Sequence, residues 1–75
     1  MIDVSITNQA QVIFEGKASS VILPGDYGEF EVLPFHWPIL SLLTKGEIII
    51  DNMGFPISRG IVRFRDEKLV ALVEL

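Results

Sequence analysis

Three kinds of side chain gathered between Leu23 and Pro38 could do chemistry: the carboxylates of Asp26, Glu29 and Glu31, the single imidazole of His36, and the rings of Tyr27, Phe35 and Trp37. A Ser-His-Asp set can be written as Ser41, His36 and Asp26. No Gly-x-Ser-x-Gly elbow accompanies it and no nucleophile stands beside the imidazole, so His36 reads as a packing or interface residue before a general base. Three carboxylates around one turn lack the ligand density and glycine placement of a calcium loop. With one histidine and no cysteine, a zinc centre within one chain is excluded. Neither a Gly-x-x-x-x-Gly-Lys-Ser/Thr loop nor a Gly-x-Gly-x-x-Gly turn occurs. No catalytic residue, metal or cofactor is assigned. The rings remain open: Phe35 and Trp37 either plug the core or anchor an interface. Glu29 is either a contact residue or a solvated carboxylate that discourages edge-to-edge pairing.

The elements that must hold these groups cannot be regular through this stretch. It contains three of the four prolines, which fix φ and remove a backbone donor, and two of the six glycines, which admit positive φ. Pro24-Gly25-Asp26-Tyr27-Gly28 therefore reads as a turn, presenting Asp26, Tyr27, Glu29 and Phe30 as an acidic and partly apolar surface. Phe35-His36-Trp37, bracketed by Pro34 and Pro38, stays irregular.

Around it the chain is scaffold. Ile2, Val4 and Ile6 alternate with polar residues, the period of a half-buried strand. Gln11 to Leu23 is extended but broken at Gly16, which marks a bulge, a bend or a tight corner. Glu29 to Leu33 alternates, with Phe30 and Val32 on one face. Ile39 to Leu43 is too short for a stable helix and reads as a strand or a single turn. Ile48-Ile49-Ile50 is a strand core, Asp51 to Gly54 a turn, and Phe55 to Ser58 a strand that Pro56 places at an edge. Gly60 to Arg65 and Lys68 to Leu75 form a hairpin about Asp66-Glu67. Eight to ten short strands without helical periodicity predict one all-β domain over residues 1–75, a small sandwich or flattened barrel of about ten strands.

Composition narrows the function. At 75 residues and 49% hydrophobic content, there is too little polar surface to cover the apolar one, which predicts a partner. Residues 1–44 carry five acids and one base, residues 45–75 five of each. An acidic half argues against nucleic acid, and Arg59, Arg63, Arg65 and Lys68 are interleaved with Asp66 and Glu67 as a solvated hairpin face. Met1 to Ser5 show no basic n-region followed by an apolar h-region, so no signal peptide is expected. Its longest apolar run, Leu69 to Val73, is far short of the roughly 20 residues of a membrane helix.

The order of motifs carries a resemblance. Val12-Ile13-Phe14-Glu15-Gly16 and then Val21 through Leu40, with Leu23-Pro24-Gly25-Asp26-Tyr27-Gly28-Glu29 leading to Leu33-Pro34-Phe35-His36-Trp37-Pro38, resemble the N-terminal domain of the epsilon subunit of F-type ATP synthase. Lys45-Gly46-Glu47-Ile48 and Ser58-Arg59-Gly60-Ile61-Val62 continue it, so it spans nearly the whole chain. Phe35 stands where the family has Gly, Trp37 where it has Ala, and Glu31 where it has Gly, which makes this loop bulkier and more acidic. The resemblance implies a ten-stranded sandwich in the central rotor stalk, bound to the gamma subunit and to the membrane c-ring. It implies no catalysis, but the transmission of torque from ion translocation to ATP synthesis. Asp26, Tyr27, Glu29 and Glu31 would face the c-ring, and His36, Trp37, Leu40 and Leu42 the gamma subunit. The subunit would sit peripherally on the cytoplasmic face of the membrane, or the matrix side of an organelle, touching the membrane only through the complex. The two-helix inhibitory domain that follows in many members lies outside these residues, and its roles are not carried over. Two other readings stay open: a free-standing β-sandwich module for a peptide or carbohydrate with Trp37, Tyr27 and Phe35 as its platform, and a small hydrolase using His36.

Overall fold

The alternation at the N-terminus becomes β1 (Ile2–Thr7) in a computed structural model that describes residues 1–75. It is followed by β2 (Val12–Ala18), β3 (Val21–Gly25), β4 (Gly28–Val32), β5 (Ile39–Leu43), β6 (Gly46–Ile50), β7 (Met53–Ile57), β8 (Arg59–Arg65) and β9 (Lys68–Glu74). These nine strands fall within the eight to ten read from the sequence, and Ile39 to Leu43 is a strand.

The strands follow the order β2-β1-β9-β8-β5-β3-β6-β7, with β4 on the other side of β3. All pairs are antiparallel except β1 with β9. A single register pair, Gly25 with Leu43, joins β3 to β5. There the sheet curls over, so that β2-β1-β9-β8-β5 faces β4-β3-β6-β7. Alternate residues point into the space between, as expected of strands with one face buried. Sixteen residues form the core, among them Ile2, Val4 and Ile6 of β1, Ile48 and Ile50 of β6, Val62 and Phe64 of β8, and Leu69, Ala71 and Val73 of β9. No polar side chain is buried and none lacks a partner inside. Apolar burial therefore carries the stability, at roughly 1.5–3 kcal/mol for each fully buried large side chain.

Three sequence expectations shift. Gly16 neither breaks nor bulges β2, which runs through it opposite Val4; the register slips instead between Ile6 and Thr7, and the chain breaks at Ser19-Ser20. The glycine is there for close approach: a Cβ would come within 3.1 Å of the Phe14 ring, which tilts against Phe55 at 5.5 Å. Pro24 and Gly25 belong to β3 and not to the turn. On the β6 side of β3 only Val21 and Ile22 are paired, so no ladder bond on that side needs the N–H that Pro24 lacks. The connection is the pair Asp26-Tyr27 alone, and of the two glycines only Gly28 takes positive φ, 119°. Met53 and Gly54 likewise belong to β7, leaving Asp51-Asn52 as the turn. Pro56 does lie on an edge strand, β7 being last in the order.

Candidate functional site

Hairpin geometry sets the acidic surface. In β4, Phe30 and Val32 turn inward and Glu29 and Glu31 outward, while Asp26 and Tyr27 cap the β3–β4 hairpin; Tyr27 is fully exposed. The ion pairs of the chain are Lys17–Asp3, Arg59–Glu74 and Arg65–Asp66, so Asp26, Glu29 and Glu31 have no cationic partner. Glu31 is the most constrained, accepting a 2.6 Å hydrogen bond from the Ser20 hydroxyl. Asp26 and Glu29 make no side-chain hydrogen bond. The three carboxylates do not converge into a metal-ligand group. What they offer is a one-signed projecting edge suited to polar or basic groups on another molecule.

The proline-bracketed segment forms the second surface. The Leu33 carbonyl accepts the His36 N–H at 3.2 Å, closing a four-residue turn with Pro34 and Phe35 at its centre. Phe35 has φ 66°. A side chain at that left-handed position costs on the order of 1–2 kcal/mol, which is why glycine is the ordinary occupant. His36 lies edge-on to the core ring of Phe64, centroids 6.2 Å apart, and its Nδ1 is 2.9 Å from the Trp37 carbonyl. A carbonyl only accepts, so in that contact Nδ1 carries the hydrogen. The Ser41 hydroxyl donates to the Leu42 carbonyl at 3.1 Å, and no hydrogen bond links it to His36. The hydrolase arrangement is not assembled.

Phe35 and Trp37 are 90% and 83% exposed, which removes them from the core. Tyr27 sits at the tip of the β3–β4 hairpin, and Phe35 and Trp37 lie in the β4–β5 connection; none of the three is in a ring pair, the pairs being Phe14–Phe55 and His36–Phe64. Two hollows of the surface lie elsewhere, one beside Asn8 to Ala10 and one between Ile13 and Phe55. Neither hollow is lined by any of the three exposed rings.

Beyond Pro38 the chain enters β5, whose alternation turns Leu40 and Leu42 outward. Register extends this surface across the sheet: Leu42 pairs with Ile61 and Ile61 with Leu72, while Leu40 pairs with Arg63 and Arg63 with Val70. Ile61, Val70 and Leu72 are all exposed, giving an apolar face that continues the one begun at Leu40 and Leu42. Sequence reasoning missed these three. The available signal was the unbroken run Leu69 to Val73, because a strand apolar at every position is covered on both faces.

Residues 1–74 match the family model described as the ATP synthase, delta/epsilon chain, β-sandwich domain. Among curated relatives, the ATP synthase epsilon chain of Campylobacter fetus is 36% identical over 97% of this chain and 60% of its own length. That of Nitratiruptor is 41% identical over 84% and 53%. The chain thus spans little more than half the length of the curated relatives it matches. Two solved assemblies hold chains of this fold. One is from the mitochondrial ATP synthase central stalk and c-ring of Tetrahymena thermophila, with TM-score 0.82, 13% identity, and coverage of 99% of this chain and 63% of that one. The other is from the Euglena gracilis mitochondrial ATP synthase, with TM-score 0.83, 20% identity, and coverage of 96% and 49%. A match running from the first strand into the last leaves no part of the sandwich unaccounted for, and the chain belongs to the β-sandwich domain family of ATP synthase delta/epsilon chains.

Proposed function

We propose that this domain is a non-catalytic element of the central stalk of a rotary ATP synthase, joining the gamma subunit to the c-ring so that ion translocation is coupled to ATP synthesis. Asp26, Tyr27, Glu29 and Glu31 face the polar loops of the ring. His36, Trp37, Leu40 and Leu42 face gamma, and Ile61, Val70 and Leu72 extend that contact. The domain works at the cytoplasmic face of the membrane, or the matrix side of an organelle, and meets the membrane only through its partners.

The observation that carries this reading is the division of the surface into an unpaired acidic hairpin and a broad exposed apolar sheet face. An apolar face suits a permanent contact, and a charged edge suits a contact made with polar loop tips. The family and the stalk and c-ring assemblies of its structural relatives support the same two partners. Hydrogen exchange of the chain, alone, with purified gamma and with the assembled rotor, tests it. Gamma is expected to protect amides of 35–43, β8 and β9, and the rotor to protect 26–31 in addition. Absence of binding to either partner overturns the proposal.

A further inference from the structure

We propose that Glu67 is the positioning residue of the gamma-facing loop: its carboxylate holds the Pro34–Phe35 peptide in the orientation that displays Phe35 and Trp37, a role that rests on the partner reading above.

The turn Leu33-Pro34-Phe35-His36 is closed by the His36 N–H on the Leu33 carbonyl, with φ fixed by proline at its second residue and φ 66° at its third. Positive φ at the third residue alone is the signature of a type II turn. Type I and type II turns differ by a flip of the central peptide, and type I gives the third residue an ordinary negative φ. A phenylalanine at that position favours type I when nothing else acts on it.

Something else acts on it here. The Phe35 N–H, which belongs to the flipped peptide, donates to Oε1 of Glu67 at 2.7 Å. That length is typical of a hydrogen bond to an ionised acceptor, the stronger kind. Flipping the peptide to type I turns this N–H to the opposite side and loses the bond. Glu67 is itself well fixed: with Asp66 it forms the β8–β9 turn, both at positive φ (53° and 63°) as in a type I′ hairpin, and its carbonyl accepts the Asp3 N–H at 2.9 Å. It is also only partly exposed. The loop is thus clipped to the rigid end of a hairpin 32 residues further along the chain. The backbone that displays Phe35 and Trp37 is thereby set before any partner arrives, which reduces the ordering cost of binding.

Glu67 and Phe35 should consequently behave as a pair. Glycine takes positive φ freely, so a Phe35→Gly turn has no need of the clip. NMR of the 75-residue chain and binding kinetics on purified gamma subunit test this. Glu67→Ala keeps a side-chain-bearing residue at φ 63° and so leaves the hairpin's own geometry as it was. In it, the Phe35 amide resonance is expected to move upfield and to exchange roughly tenfold faster, the scale set by losing a hydrogen bond to a charged group, while the Phe64 amide keeps its protection. Dissociation from gamma is expected to quicken by about the same factor, with association little changed. Glu67→Gln, which retains an acceptor oxygen, recovers most of both effects and serves as the milder variant. In the Phe35→Gly background, adding Glu67→Ala still removes the acceptor from the residue 35 amide but leaves the turn unflipped, read as an unchanged short distance from the Pro34 Hα to the residue 35 amide hydrogen, whereas with Phe35 in place that distance lengthens as the peptide flips. An unaltered Phe35 amide in Glu67→Ala, a turn that Glu67→Ala leaves unflipped with Phe35 in place, or one that flips equally in both backgrounds, overturns the clip. An altered amide with unaltered gamma dissociation overturns the positioning role. Failure of the unsubstituted chain to bind gamma overturns the partner reading and with it the positioning role, while the NMR result still decides the clip.

Discussion

Asp3 and Lys17 stand directly opposite each other in the β1–β2 pair, and a 2.7 Å hydrogen bond to the ammonium holds the Asp3 carboxyl below the ordinary carboxylate range, with the charge of Lys17 adding to it. A depressed folded pKa means that the pair's stabilisation is complete above the unfolded value and is lost as pH falls through the folded one. Asp3→Asn is therefore expected to lower Tm slightly at neutral pH and not at all in strong acid, and added salt shrinks the neutral difference because both groups face solvent. Parallel melts at the two pH values check the sign; a difference that grows in acid contradicts it. Phe64 is the opposite kind of residue, 1% exposed and the floor on which His36 rests. Phe64→Ala should cost about 3–5 kcal/mol, the range for emptying an aromatic site in a packed core, measured by denaturant unfolding. It should also unseat the His36 ring, seen as a shift of its resonances in any population that remains folded.

At the scale of elements, the informative strand is β9, because Leu69 and Leu72 are both leucines in one apolar run and point to opposite faces. Leu69→Lys places a charge in the core and is expected to abolish folding; Leu72→Lys leaves the melt almost unchanged and weakens gamma binding. Circular dichroism and gamma binding on the two variants check this, and loss of fold in both would mean that the outer face is itself needed by the sandwich. The same strand shows where the sequence was legible. Alternation is a local signal, so the strands, the inward set of β1 and the hairpin about Asp66-Glu67 could be read directly, as could the acidic turn. Leu72 acquires its meaning from Ile61 and Leu42, eleven and thirty residues away, through register that no local pattern states. The bond from Phe35 to Glu67 is invisible for the same reason. Gly16 and Pro24 misled because their usual signals, a bulge and a turn, were overridden by a neighbouring ring and by a sheet corner.

Across the whole molecule, a domain with principal extents of 28 × 26 × 21 Å presents two surfaces of different chemistry, and different chemistry should leave different kinetic traces. The acidic hairpin is exposed and unpaired, so on the proposed arrangement its charges are expected to act at long range, on encounter with the ring more than on the lifetime of the contact. Trp37 is exposed in the free domain yet large and apolar, the type of residue that becomes a buried anchor and governs dissociation. Glu29→Lys is expected to slow association with the assembled rotor several-fold at low ionic strength, an effect that fades as salt is raised, and to leave binding to isolated gamma unchanged. Trp37→Ala is expected to speed dissociation from gamma by about thirtyfold, equivalent to roughly 2 kcal/mol for a hot-spot aromatic. Because Trp37 lies outside the core, the melt of that variant should match the unsubstituted chain. Kinetics of both variants against gamma alone and against the rotor, at two salt concentrations, separate the contacts. Equal losses from both variants on both partners would show a single undivided interface, in which the hairpin and the aromatic loop meet the same subunit.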